Sequence, residues 1–253
     1  MISIQKEEIN SIPSLTVTYT NKINEPLPLI IYFHGFTSAK EHNLPIAYLL
    51  ADKGYRVILP DSKYHGERET VLTASERQIS FWNIVIQNID DLQKIKDYYE
   101  QRKLILNNRI GIAGTSMGGI TTSAALTQYS WINVAAVLMG SPKIMTFAKA
   151  LVNHFKQVGD LPLTEEMVNN LYASLEKYDL SKQPDKLDHR PLLFWHGEND
   201  AVVPFDHSFT FYNEVKNLYK NMDQIRLIKE KNRGHKISRY AILETVKWFE
   251  KFL

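Results

Sequence analysis

The stretch GIAGTSMGGI, residues 111–120, decides how the rest of the chain is read. Glycines at 111, 114, 118 and 119 surround Ser116 without a single charge, an odd opening for the helix that the following TTSAALTQY predicts. Two readings compete. In the first the glycines cradle a phosphate, which requires either G-x-G-x-x-G after a first strand or G-x-x-x-x-G-K-[ST]. The glycine spacing differs, the stretch follows roughly the fifth strand, and no Lys follows Gly118 or Gly119. In the second, Gly114-Thr115-Ser116-Met117-Gly118 is G-x-S-x-G between an apolar strand and a helix. There the serine occupies a sharp, strained turn, and its neighbours two positions away must be small. Its hydroxyl then stands at the carboxyl end of the strands, where open α/β sheets hold ligands. The helix N-terminus beneath it favours developing negative charge. The second reading fits.

Working outward, short runs rich in β-branched residues predict strands at LIIYF (29–33), YRVIL (55–59), RIGIA (109–113), VAAVLM (134–139), LLFW (192–195) and IRLIKE (225–230). Near-continuous apolar strands imply a sheet buried on both faces. Helical periodicity falls between them, at about 41–53, 76–100, 117–129, 205–219 and 237–252. This alternation implies βαβ units and a mostly parallel sheet with right-handed crossovers. ISIQKEEI and LTVTYT alternate as edge strands do, and NKINEPLP reads as a turn or loop. Residues 142–186 break the rhythm with two amphipathic segments, KIMTFAKALVNHF and TEEMVNNLYASLEKY, punctuated by Gly159, Asp160 and Pro162. A helical insertion between sheet strands reads as a lid over a site; the alternative is extra helical packing. The expectation is one domain, residues 1–253, with 142–186 inserted in it.

A serine hydroxyl needs a base to take its proton, and the base needs a partner to hold its tautomer. For a serine in this motif the chain order is Ser, then Asp or Glu, then His. LLFW is followed by HGENDAVVP, offering Glu198 and Asp200 with Asp206 just beyond it, and IRLIKE by KNRGHKIS, offering His235 alone. The candidate catalytic set is therefore Ser116, Asp200 and His235, with Glu198 as fallback and Asp206 assigned to the next helix. A turn residue or helix cap is the other reading of Asp200, and a solvated loop residue that of His235. His34 and His196 each precede a glycine at a strand end and are expected to hold loops. His42, His154, His189 and His207 are expected at surface or lid positions. A tetrahedral oxyanion needs main-chain N–H donors; Met117 supplies one, and the loop HGFT (34–37) offers Phe36 as the second.

With these residues in place the chain resembles the α/β-hydrolase superfamily. More narrowly, it is similar to small bacterial carboxylesterases related to the catalytic domain of prolyl oligopeptidases and to dienelactone hydrolases. The resemblance runs from about residue 27 to the end, on HGF at 34–36, PDSKYHGER at 60–68, GTSMGG at 114–119, HGENDAVVP at 196–204 and RGH at 233–235. It implies the same triad and the same two oxyanion donors, and a loop-fixing role for Asp61, His65 and Arg68. Two departures narrow it. Dienelactone hydrolases use a cysteine nucleophile, which this chain lacks, and oligopeptidases carry a large propeller for which it has no room.

Composition bounds the function further. The 253 residues carry 30 basic and 28 acidic side chains, a formal net charge of +2 that gives no pull towards nucleic acid. No cysteine is present, which excludes disulfides and thiolate metal sites and fits a reducing compartment. MISIQKEEIN lacks the pattern of a signal peptide, and no apolar run is long enough to span a membrane. A cytoplasmic protein without metal or cofactor is expected, acting on a small-molecule ester, with no nucleic acid partner and no membrane insertion. Ile144, Met145, Phe147 and Leu151, with Ala148, form one apolar face and a candidate substrate pocket for short to medium acyl chains; packing on the body is the alternative for that face. The competing functions are a peptidase or amidase with the same triad, a thioesterase, for which a basic docking surface is missing, and a non-catalytic binding module on the same fold.

Overall fold

A computed structural model describes residues 1–158 and 164–253, so Gly159, Asp160 and Pro162 lie outside the described residues. β1 (Ile2–Ile9) and β2 (Ile12–Tyr19) form an antiparallel hairpin closed by Asn10 and Ser11, both at positive φ, as two-residue hairpin turns that match strand twist require. β3 (Leu27–Phe33), β4 (Arg56–Pro60), β5 (Ile105–Thr115), β6 (Val134–Leu138), β7 (Leu192–Gly197) and β8 (Ile225–Glu230) complete an eight-stranded sheet. Its order is β1-β2-β4-β3-β5-β6-β7-β8. Pairing is antiparallel at β1–β2 and β2–β4 and parallel elsewhere.

Helices cover both faces, and the period-two alternation of the strands sorts side chains between them. Leu29, Ile31 and Phe33 of β3, with Leu192 and Phe194 of β7, join one core cluster. It includes residues of α3 (Phe81–Gln101), α4 (Met117–Gln128) and α7 (Phe205–Val215). Ile30 and Tyr32, with Leu193 and Trp195, join the other, formed with α1 (Leu44–Asp52) and α8 (Arg239–Phe252). A third cluster packs the starts of α3 and α4 against α5 (Ile144–Val158) and the end of α6 (Glu165–Leu175). Among the described residues no helix is long and apolar enough to cross a membrane.

Several expected elements shift. The helix expected over 76–100 is two, the short α2 (Ala74–Ile79) and α3, meeting at Ser80. The expected helix at 41–53 begins as a 3-10 turn over Lys40–Asn43, and α1 starts with Pro45 in its first turn, where a missing N–H costs nothing. The last residues of the 205–219 segment are a 3-10 turn, Lys216–Leu218. β1 is an edge strand, whereas LTVTYT lies inside the sheet, because β1 on one side and β4 on the other take up its hydrogen bonds. Both amphipathic segments of 142–186 are helical, as α5 and α6.

Candidate active site

The site assembles at the carboxyl ends of the parallel strands. Ser116 joins β5 to α4 at φ 56° and ψ −114°, a conformation that residues with a side chain rarely adopt. Its N–H donates to the Leu138 carbonyl at 2.9 Å, and its own carbonyl accepts from Ile120 N–H at 2.9 Å. The turn closes only because its flanking residues lack side chains. A Cβ on Gly114 would lie 2.3 Å from the Gly118 carbonyl carbon, and one on Gly118 would lie 2.1 Å from the Phe33 oxygen.

His235 reaches Ser116 from the loop between β8 and α8. Gly197 makes room for that loop: a Cβ there would stand 2.5 Å from the Arg233 carbonyl oxygen and 2.7 Å from that of Gly234. His235 Nε2 lies 2.8 Å from Ser116 Oγ, and His235 Nδ1 lies 2.8 Å from Asp200 Oδ2. A carboxylate only accepts, so Nδ1 carries the proton and Nε2 is left to accept from the serine.

Asp200 follows β7 with its side chain fully buried. Oδ1 accepts from the amides of Val202 (2.9 Å) and Val203 (3.0 Å), and Oδ2 also lies 3.1 Å from His196 Nε2. Burial pushes the carboxyl towards neutrality, but the bonds from His196, His235, Val202 and Val203 outweigh it and hold the group well below the usual carboxylate range. Asp200 is thus a fixed negative charge behind the imidazole. Glu198 instead pairs with Lys229 at 2.7 Å on the surface, and Asp206 lies in the first turn of α7.

The amide of Met117 opens α4, where helix N–H groups have no intrahelical partner. Phe36 lies in the loop after β3. Among the described residues neither amide donates to a main-chain carbonyl. A cavity of about 290 Å³ opens beside Ser116 and His235, its walls including Tyr32, Phe36, His42, Ile46, Met139 and Ile237. Tyr32 Oη and Thr115 Oγ1 are hydrogen-bonded at its edge.

Ile144, Met145, Phe147 and Leu151 are not among the walls of that cavity. Ile144, Phe147 and Ala148 are buried with Trp82, Ile89, Met117 and Ile120, and Leu151 packs against the same cluster. Amphipathicity marks a face as buried without saying against what, and here α3 and α4 take it up. The expectation for His207 is corrected: it is buried, 2.9 Å from Ser141 Oγ, not at the surface. His196 does hold a loop, through the Val203 carbonyl at 2.9 Å, but its contact with Asp200 was not anticipated; the four-residue spacing in HGEND was the available signal. Asp61, buried, accepts from Lys40 N (3.0 Å), Lys40 Nζ (2.6 Å) and Glu67 N (2.9 Å). Arg68 bridges the Asp61 carbonyl and Asp91. Lys40, 1% exposed, is a buried cation that no sequence pattern announced.

The family model described as the prolyl oligopeptidase family matches residues 45–253. YitV of Bacillus subtilis (strain 168), provisionally named an esterase, is 44% identical over 255 residues, covering 100% of both chains. Esterase YjfP of Escherichia coli (strain K12) is 31% identical over 208 residues, 82% of each chain. The crystal structure of TT1662 from Thermus thermophilus aligns with a TM-score of 0.77 at 18% identity, covering 99% of this chain and 98% of that one. The eight-stranded, mostly parallel sheet with helices on both faces is the α/β-hydrolase fold.

Proposed function

The chain belongs to the prolyl oligopeptidase family, and from that premise we propose that it hydrolyses carboxylic esters through a serine acyl-enzyme. Ser116 is the nucleophile, His235 the general acid and base, and Asp200 the group that orients His235. The observation that carries this reading is the unbroken pair of 2.8 Å contacts, Ser116 Oγ to His235 Nε2 and His235 Nδ1 to Asp200 Oδ2.

In acylation Ser116 Oγ attacks the ester carbonyl as its proton passes to His235 Nε2. The amides of Met117 and Phe36 receive the oxyanion. Collapse breaks the bond to the leaving oxygen, which takes the proton from His235. Water then attacks the acyl-enzyme, giving its proton to His235, and the acid leaves as Ser116 regains it. The anionic Asp200 stabilises the imidazolium that forms in each half-reaction.

The similarity to proteins named as esterases supports ester substrates, and a cavity of about 290 Å³ supports small ones, since pockets for drug-sized ligands run from roughly 300 to 1,000 Å³. The acyl chain is short to medium. We further assign the whole chain to one domain with 142–186 as its lid, and the protein to the cytoplasm, consistent with the absence of cysteine.

The test is p-nitrophenyl ester hydrolysis across a chain-length series, by wild-type protein and Ser116→Ala. Turnover is expected to fall with acyl length and to drop by at least about 10³-fold in the variant. Equal rates in the two proteins would remove Ser116 from the chemistry, and a preference for long chains would overturn the size argument. The same groups serve amide hydrolysis, for which the family's description speaks; faster cleavage of a p-nitroanilide than of its matching ester would favour that reading.

A further inference from the structure

The loop that offers the Phe36 amide, residues 34–37, is crossed by two histidines with no direct part in the chemistry. His34 and His65 are 0% and 2% exposed, with ring centroids 5.2 Å apart. His34 Nδ1 lies 2.7 Å from the Gly35 carbonyl, and the Ser62 amide donates to His34 Nε2 at 3.0 Å. His65 Nδ1 lies 2.9 Å from the Lys63 carbonyl, and the Thr37 amide donates to His65 Nε2 at 3.0 Å. The bonding is reciprocal: each loop sends an imidazole to accept a main-chain N–H of the other. Carbonyls only accept and amides only donate, so both rings are neutral with the proton on Nδ1.

These bonds hold the two peptide groups on either side of Phe36. The Gly35 carbonyl accepts from His34 and, at 3.2 Å, from the Ser38 amide. Because a trans peptide is planar, fixing that carbonyl fixes the Phe36 N–H in the opposite direction. The next peptide is held through Thr37 N–H and His65. Thr37 sits at φ 61°, where a β-branched residue is strained and stays only if its surroundings impose it. Without the bond to His65, only the longer 3.2 Å bond from Ser38 N–H to the Gly35 carbonyl opposes relaxation of this turn, which would swing the neighbouring peptide.

We propose that His34 and His65 are positioning residues of the oxyanion hole, a crossed pair of neutral imidazoles that aims the Phe36 amide at the developing oxyanion. This rests on the reading of Ser116 as nucleophile and Phe36 as oxyanion donor. Burial pushes the His34 imidazole down to about 4, with the Gly35 bond and Asp61 opposing and His65 and His42 adding to the fall. It pushes His65 down as well, with the Lys63 bond, Asp61 and Glu69 opposing and Arg77 adding. Asp61 is tied to Lys40. Both rings therefore stay neutral, and able to accept, at neutral pH.

The experiment compares His65→Leu, which removes the acceptor, with His65→Gln, whose amide oxygen stands near the place of Nε2. Hydrolysis of p-nitrophenyl acetate is measured per serine titrated to completion with a p-nitrophenyl phosphonate, so that only folded, competent molecules count. Removing an oxyanion donor outright costs about 10²- to 10³-fold in kcat; misaiming one is expected to cost His65→Leu at least about tenfold, with KM changed less than about twofold, and His65→Gln to recover most of the loss. Wild-type kcat per titrated serine in His65→Leu would overturn the proposal, as would equal losses in both variants. If Ser116→Ala retains turnover, the reading beneath it fails instead. Should neither His65 variant fold, ¹⁵N resonances of histidine-labelled wild-type protein at pH 7.5 decide: Nδ1–H tautomers at both residues support the clasp, and an Nε2–H at either overturns it.

Discussion

Ser116, Asp200 and His235 are brought within hydrogen-bond reach by two backbone features at residue scale, the φ of 56° at Ser116 and the bare backbone of Gly197. Asp200 carries the heaviest demand of the three: four N–H groups converge on one carboxylate, two from imidazoles and two from amides. Asp200→Asn keeps the shape but turns one acceptor into a donor, so whichever way the amide faces, N–H meets N–H and His235 loses its preferred tautomer. The expected outcome is a fall in kcat on the order of 10³- to 10⁴-fold for p-nitrophenyl acetate; a fall of less than about tenfold would show that Asp200 does not orient His235. The candidate residues were legible because the motif order and strand ends confine them. The contact of His196 with Asp200 was not, since an imidazole before a glycine at a strand end reads as a loop holder whether or not a carboxylate folds back onto it.

Among the elements, α4 carries the nucleophile at its start and depends on Arg190 at its end. Arg190 donates to the carbonyls of Leu126 and Tyr129, both at 2.7 Å, and to Leu187 at 3.1 Å. A cation there satisfies orphan carbonyls and complements the negative end of the helix dipole. Arg190→Met is expected to cost about 2–3 kcal/mol in urea unfolding, while kcat per titrated serine stays at the wild-type value because the change lies at the opposite end of α4 from Ser116. A stability unchanged from wild type would show that water replaces the guanidinium at no cost. Strands and their order of appearance were readable from apolar runs. The junction at Ser80 was not, because Ser80 itself keeps helical dihedrals, φ −76° and ψ −7°, and no Gly or Pro marks the break. The interior position of β2 was hidden for another reason: alternation reports which residues face a core, whereas strand neighbours are chosen by pairing with residues some forty positions away, as Leu15 pairs with Leu59.

At the scale of the whole molecule, buried neutral imidazoles link stability to pH. Burial lowers His34, His65 and His207, while unfolded histidine titrates near ~6.5. A lowered folded value means that the unfolded chain binds more protons in the interval between the two, so stability falls as pH drops from about 6.5 towards 4. For His34, which titrates at about 4, the full loss is on the order of 3 kcal/mol. Asp200 acts in a separate window: its folded value is lowered too, so its contribution is intact above the unfolded carboxylate range and is lost only below about pH 4. Urea midpoints measured from pH 7.5 to 4.5 should therefore decline through the histidine window, and less steeply in His34→Asn; a flat profile would contradict neutral burial of these rings. The sequence by itself determined the α/β class, the sheet with helices on both faces, and the identity and order of the candidate triad, because periodicity and the small residues around Ser116 are local demands that local residues must meet. Only the tertiary structure decided that α5 packs its apolar face on α3 and α4, that Lys40 is buried against Asp61, and that His34 and His65 cross between two loops. Each depends on which distant surfaces arrive at one place, and one chain's spacing does not encode that in any local pattern.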